Sequence, residues 1–536
     1  MGDPSPPQSS TSQALPTAQR PLSLIALTLF AVLLFLGPIL IHRARFDFTT
    51  DSFSYLAVAQ QVARGRGLVL PQVDPVRTAD ASHVRRRPLT QWPPLYPLLC
   101  AIPVALGLTA LDAASVVSRV STTAALLFAW LIIRRHTPGW SHWPAALLLA
   151  TMPAAGRLSG LAWSEGLACC CLLGAHTVLD RHLAPLPDAG PTSAGKPHVR
   201  LALWTIAGLY TRYAFLFAVP ALALGLWWGT TGRGRERLKA VGSYLLITAL
   251  GFAPWLVRNL VLTGYWDGKA PRAAELPFKV HWRHLQSYLL GMRLDPDDRL
   301  ATWIAVLALA LLLVMAHRIR KGHPALRVAA ILVISGLSQL VLLVLALMVN
   351  RYDPITVRFL APITVLLFTS ALLAAGLLLG TRAVSPPWSL ALMFLFFIGL
   401  FHGHYARYPQ LWPPRPRHGH LARWMREHTP PGSVYAGSAA VIPLQTQLPD
   451  HLQLIGLGMI LRDPERQLSQ EELDTLRRRY GLRYLCFPYP PTWEGAARRG
   501  PLLQALMAAD FLPPELGIIH TGPAWRAVEL SPVQTP

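Results

Sequence analysis

Long apolar runs alternate with short polar connectors through the first four hundred residues. The runs are Leu22–Ile41, Ser115–Ile133, Trp143–Met152 with the residues after it, Ser164–Leu179, Leu201–Leu209, Tyr213–Trp228, Tyr244–Leu262, Leu300–Ala316, Ala325–Met348, Phe359–Leu379 and Leu390–Tyr405. A helix needs about 20 apolar residues to cross the hydrocarbon of a bilayer, and this window predicts about eleven transmembrane helices. A backbone inside lipid must satisfy its own hydrogen bonds, so the expected class is an all-α polytopic membrane protein. No internal repeat is evident, which argues against the inverted-repeat transporter folds.

Two regions break the alternation. The first is the loop 42–92. Within it, Asp51–Ala63 carries Phe53, Leu56, Ala57 and Val62 at helical spacing and is stopped by Gly65 and Gly67. This helix is too short and polar to span and is expected to lie along the membrane surface. The stretch from there to Arg87 is polar and reads as a flexible lid. Pro93–Leu108 is apolar but holds Pro93, Pro94, Pro97 and Pro103, and is taken as re-entrant rather than crossing. With that choice Arg134-Arg135 falls on the cytoplasmic side, and Glu165 returns to the side of Asp51.

The second is the tail. From about Arg407 the patterning becomes soluble, after a linker at Pro413-Pro414-Arg415-Pro416. Strands are expected at Ser433–Ala436, Leu482–Phe487 and Ala524–Leu530, with helices at Glu471–Tyr480 and Leu502–Ala509. The predicted organisation is a disordered cytoplasmic segment 1–21, a transmembrane domain 22–406 with an external loop 42–92, and a small extracytoplasmic α/β domain 407–536.

Composition narrows the reading. The 536 residues are 52% hydrophobic and 14% charged with mean hydropathy +0.36, against about 25% charged in soluble proteins. The formal charge is +22, but the arginines are scattered among loops between spans. Anionic lipid, or a phosphate on a lipid substrate, explains that distribution better than nucleic acid does. Cys169, Cys170 and Cys171 are adjacent, Cys100 and Cys486 stand apart, and no zinc spacing or disulfide framework results. His402-Gly403-His404 and His418-Gly419-His420 lack a carboxylate or thiol at ligand spacing, so no metal is assigned. No phosphate-binding glycine loop or Ser-His-Asp order is present.

The chemistry is expected where acids and arginines meet the ends of apolar runs. An acid at the mouth of a span is costly and so usually functional. Asp51 and Asp47 stand just past Leu22–Ile41, and Glu165 opens the run after Trp163-Ser164. Helix capping is the competing role for Asp51 and for Ser164-Glu165. Arginine offers a permanent, bidentate charge toward phosphate, and Arg212, Arg258, Arg351 and Arg358 all sit beside external span ends. Their competing role is snorkelling to head groups.

The motifs Asp51 with Tyr55, Gly65-Arg66-Gly67 and Trp92-Pro93-Pro94-Leu95-Tyr96-Pro97 resemble the first external loop of the GT-C membrane glycosyltransferases. The likeness is to the family 39 branch, which is related to the protein O-mannosyltransferases and the lipid A aminoarabinose transferases, and as a pattern of spans and loops it covers roughly residues 20–405. It implies a GT-C fold and an inverting glycosyltransferase working on the extracytoplasmic face of the inner (plasma) membrane, with a polyprenyl-phosphate-linked sugar as donor and an acceptor the sequence does not name. Asp51 would then be the base, Glu165 and Asp47 further acids, and Arg258, Arg358, Arg212 or Arg351 the phosphate ligands. Tyr55, Trp92 and Tyr96 would line the substrate loop. The branch is generally metal-independent, so no cofactor is expected, although oligosaccharyltransferase relatives share a divalent cation between acids. A lipid-linked glycan flippase and a non-catalytic membrane scaffold are the competing readings.

Overall fold

The computed structural model describes residues 50–73, 86–137, 142–184, 196–268, 323–349, 357–379, 419–437, 448–454, 470–488, 517–522 and 525–531, with a few positions between 28 and 36 and residue 314. Asp47, Arg351, both Gly-centred histidine pairs apart from Gly419 and His420, and the expected helix Leu502–Ala509 lie outside them. So do the expected spans Leu22–Ile41, Leu300–Ala316 and Leu390–Tyr405, isolated positions excepted.

The chain is a multi-pass membrane protein. Among the described residues, four helices are long and apolar enough to cross: Ala110–His136, Gly234–Thr263, Pro324–Met348 and Arg358–Leu377. In chain order the helices are α1 Thr50–Ala63, α2 Leu95–Ala105, α3 Ala110–His136, α4 His142–Thr151, α5 Pro153–Gly160, α6 Glu165–Leu183, α7 Pro197–Thr211, α8 Val219–Gly229, α9 Gly234–Thr263, α10 Pro324–Val349 and α11 Val357–Leu379. They pack around Leu126, Trp130, Ile133, Leu172, Leu201, Tyr244 and Leu366, all buried.

Proline sets several boundaries. The run after Trp143 is not one helix, because extended backbone at Met152 and Pro153 in the first turn separate α4 from α5. The run Tyr213–Trp228 likewise splits into a 3-10 turn, Tyr213–Ala218, and α8. α2 has 11 residues, about 16 Å of helix, far short of the ~30 Å hydrocarbon core.

One expectation for the first loop is corrected, that of a lid. α1 is covered by protein: Ser52, Phe53, Tyr55, Leu56, Ala57, Val58 and Ala59 are all buried, because α2, α3 and the first strand pack around it. The stretch after it is not only a lid, since it contains two strands, β1 Val69–Val73 and β2 Arg86–Pro88. These join five strands from the tail, β3 Val434–Gly437, β4 Leu452–Leu454, β5 Leu482–Pro488, β6 Gly517–Gly522 and β7 Trp525–Leu530, in one sheet of order β2-β1-β4-β3-β5-β7-β6. The join is parallel, with Gln72 opposite Gln453 and Val73 opposite Leu454. Two tail helices, α12 Gly419–His428 and α13 Gln470–Tyr480, accompany the sheet. α12 seats Leu421, Ala422 and Met425 on a core with Tyr435, Tyr484 and Trp525.

α6 organises the membrane part. Its 19 residues span about 28 Å, with Glu165 at one end and Asp180 near the other. At the far end Asp180 accepts from Arg135 at 3.0 Å and pairs with His136 at 2.5 Å, and its side chain is only 3% exposed. Removing one partner of a buried ion pair leaves the other charge stranded, at about 3–5 kcal/mol. Asp180→Ala should therefore unfold at markedly lower temperature than the parent in the same detergent, and an unchanged melting profile would contradict the pairing.

Candidate active site

The near end of α6 is built by close packing. Gly166 faces α3 so tightly that a Cβ there would come within 2.8 Å of Thr122 Oγ1, and this holds the first turn of α6 against the bundle. Ser164 makes no side-chain cap at the helix start, so the capping role is not the one observed. Its Oγ lies instead 3.4 Å from the Tyr55 hydroxyl, 3.5 Å from Glu165 Oε2 and 3.5 Å from Arg212 Nη1. Asp51 lies in the first turn of α1 rather than before it.

Four charged side chains from four helices converge here. Arg358, at the start of α11, donates from Nη1 to Asp51 Oδ2 at 2.5 Å and places Nε 4.0 Å from Glu165 Oε1. Arg212, at the end of α7, is ion-paired with the same Glu165 oxygen. The Glu165 side chain is 1% exposed, while both arginines keep 17% exposure. A fixed guanidinium thus stands between the two acids. The Phe359 ring lies 4.9 Å from Arg358 Cζ and 5.7 Å from Arg212 Cζ, a contact that favours cations.

Both arginines line a cleft. Apart from Gln339, its other walls are apolar, among them Leu172, Phe217, Leu343 and Ile363. Charge at one end and hydrocarbon along the rest suits an amphiphile with an anionic head.

The aromatic residues foreseen for the substrate loop are present but buried. Tyr55 packs edge-to-face on Trp92 at 5.9 Å and on Tyr96 at 5.4 Å, and Tyr96 hydrogen-bonds Ser118 at 2.8 Å. Burial first, then the Asp51 and Glu165 carboxylates against the opposing Arg212, push the Tyr55 hydroxyl up. It therefore stays a neutral hydrogen-bonding group.

Arg258 is placed differently from Arg212 and Arg358. It donates to the Leu89 carbonyl at 2.7 Å and stacks over Trp255 at 4.7 Å. Beside it, Asn259 and Trp255 both donate to the Tyr213 hydroxyl at 2.8 Å, and Tyr213 reaches the Thr90 carbonyl at 3.2 Å. This network anchors the end of the first loop to α9. Sequence reasoning missed Asn259, Tyr213 and Phe359. Their one signal was adjacency to an arginine, which does not reveal a partner far along the chain. Among the described residues no three His, Cys, Asp or Glu side chains group as metal ligands.

No protein-family model matches the chain. No curated protein matches it either. Solved structures do. ArnT from Cupriavidus metallidurans in the apo state aligns with TM-score 0.59 at 14% identity, over 94% of this chain and 97% of that one. The same protein bound to undecaprenyl phosphate aligns with TM-score 0.56 at 13% identity, over 96% and 99%. The Archaeoglobus fulgidus oligosaccharyltransferase, in complex with Zn and sulfate, gives TM-score 0.54 at 11% identity, over 86% of this chain and 67% of that one. The mycobacterial arabinofuranosyltransferase AftD gives 0.54 at 16% identity, over 87% of this chain and 37% of its own length. The ArnT alignments run over nearly the whole of both chains, and this chain shares the fold of these solved membrane glycosyltransferases.

Proposed function

We propose that the protein is an inverting glycosyltransferase that moves a sugar from a polyprenyl-phosphate donor to an acceptor at the extracytoplasmic boundary of the membrane. The observation that carries this reading is the cleft with Arg212 and Arg358 at its polar end, apolar walls behind them, and Asp51 and Glu165 held on those arginines. The undecaprenyl phosphate bound by the similar ArnT structure supports the donor class.

The donor phosphate sits at Arg212 and Arg358, and its lipid runs along Leu343 and Ile363. Its charge competes for Arg358, which releases the Asp51 carboxylate to accept the proton of an incoming hydroxyl. As that hydroxyl oxygen bonds to the anomeric carbon, the carbon–oxygen bond to phosphate breaks on the opposite face. The electron pair leaves with the polyprenyl phosphate, where the two guanidiniums stabilise it. Glu165 keeps Arg212 in place, and no cofactor enters the scheme. Two acids bound to the guanidiniums that line the cleft favour transfer over flipping, which calls for charges in mid-span.

A synthetic β-linked polyprenyl-phosphate sugar should yield an α-linked product by NMR. A β-linked product would exclude inversion. Sidedness has its own test, made simple because all five cysteines are buried. Arg66→Cys should react with an impermeant maleimide in whole cells, and Arg235→Cys only after lysis. The reverse pattern would put the site on the cytoplasmic face.

A further inference from the structure

A second basic cluster lies at the opposite end of α1, at the seam between the first loop and the tail sheet. Arg64 stands thirteen positions beyond Asp51, about 20 Å along the helix at 1.5 Å per residue. α1 ends here because Gly65 and Gly67 take left-handed backbone, φ 71° and 79°. That turn aims Arg64 and Arg66 at the same oxygen of Asp450, at 2.7 and 3.0 Å. Arg86, on the edge strand β2, adds a third guanidinium. Its Nε is buried and has no hydrogen-bond partner among the described residues. Burial first, then the charges of Arg66 and Arg64 against Asp450, hold Arg86 below the usual arginine range. Asp450 is itself held below its ordinary range: burial raises it, and the hydrogen bonds and charges of Arg64 and Arg66 outweigh that.

Two arginines paired with one aspartate, and a third guanidinium within their electrostatic reach, leave an excess of two positive charges. Their forked N–H groups match a tetrahedral oxyanion, and a phosphate monoester carries about −1.5 to −2 charge at neutral pH. We propose that Arg64, Arg66 and Arg86 form a phosphate-monoester site, distinct from the donor-phosphate end of the cleft, and that Asp450 occupies the arginines when the site is empty. The assignment of that phosphate to the acceptor rests on the transferase reading, but its binding does not. On that reading, the acceptor is an extended anionic molecule whose reacting hydroxyl lies about 20 Å from its phosphate. The pairs are half-exposed, 40% for Arg64 and 43% for Asp450, so the aspartate is held weakly enough to be displaced.

The test uses the full chain in neutral phosphatidylcholine nanodiscs, titrated calorimetrically with inorganic phosphate. Asp450→Asn removes the competing carboxylate and should tighten phosphate binding several-fold, while Arg66→Gln with Arg86→Gln should weaken it about tenfold or more. With the donor arginines filled beforehand by saturating polyprenyl phosphate, the phosphate binding should persist, which separates it from the donor site. A purely structural clamp gives no saturable phosphate binding, or weaker binding in Asp450→Asn, and either result overturns the proposal. A parallel arm with phosphatidylglycerol nanodiscs tests the bilayer as the source. Arginine-dependent binding of that lipid without any response to inorganic phosphate also overturns it, because a phosphodiester brings one charge where the cluster calls for two.

Discussion

Asp51→Asn should insert, fold and bind a polyprenyl-phosphate donor, yet lose about 10²–10⁴-fold in turnover, the usual contribution of a general base. The substitution keeps the shape and most of the hydrogen bonding, including the contact from Arg358, 2.5 Å away. It also caps or opens a helix about as well as the acid does. What it removes is the ability to take a proton. The measurement is sugar transfer from a synthetic donor, beside donor binding on the same preparation. If turnover stays near normal, the base is another group, with Glu165 next in line because it shares Arg358.

Arg212→Ala should be damaging in a different way. Glu165 is 1% exposed and is paired with Arg212, with Arg358 Nε 4.0 Å from the same oxygen. Stranding a buried carboxylate costs about 3–5 kcal/mol, so the variant should melt well below the parent and bind donor far more weakly. Arg212→Lys should regain most of the stability, because the charge returns. It should regain only part of the donor affinity, because an ammonium does not reproduce the guanidinium fork. Thermal melting and donor binding on both variants separate the two effects. Full donor affinity in Arg212→Ala would remove this arginine from the phosphate site.

The two experiments bear on one arrangement. Arg358 touches both acids, so donor binding and base release are linked through a single side chain. Arg258, by contrast, holds the Leu89 carbonyl. Its loss should act through the position of the first loop.

Much of this was legible in the sequence because it is local. Apolar run length fixed the membrane class, and α9, α10 and α11 fall within a few residues of the runs beginning at Tyr244, Ala325 and Phe359 or extend them by a turn or more. Turn chemistry ended α1 before Gly65, and the change to soluble patterning in the tail located β3, β5 and β7. Asp51, Glu165, Arg212 and Arg358 each declared themselves as a charge beside an apolar run, where a charge is expensive. Their meeting did not. Arg358 and Asp51 are 307 positions apart, and no local periodicity encodes a pairing at that separation. Strands β1 and β2 were read as a polar lid for a related reason. A short strand is stable only against a neighbour, and theirs, β4, lies far along the chain in the tail. The chain's own order of apolar and polar residues thus determined that it enters a membrane, where its helices run and which residues carry charge at their ends. Only the tertiary packing decided which of those charges share a cleft, because that depends on how α1, α6, α7 and α11 come together, a choice made by many distant contacts at once.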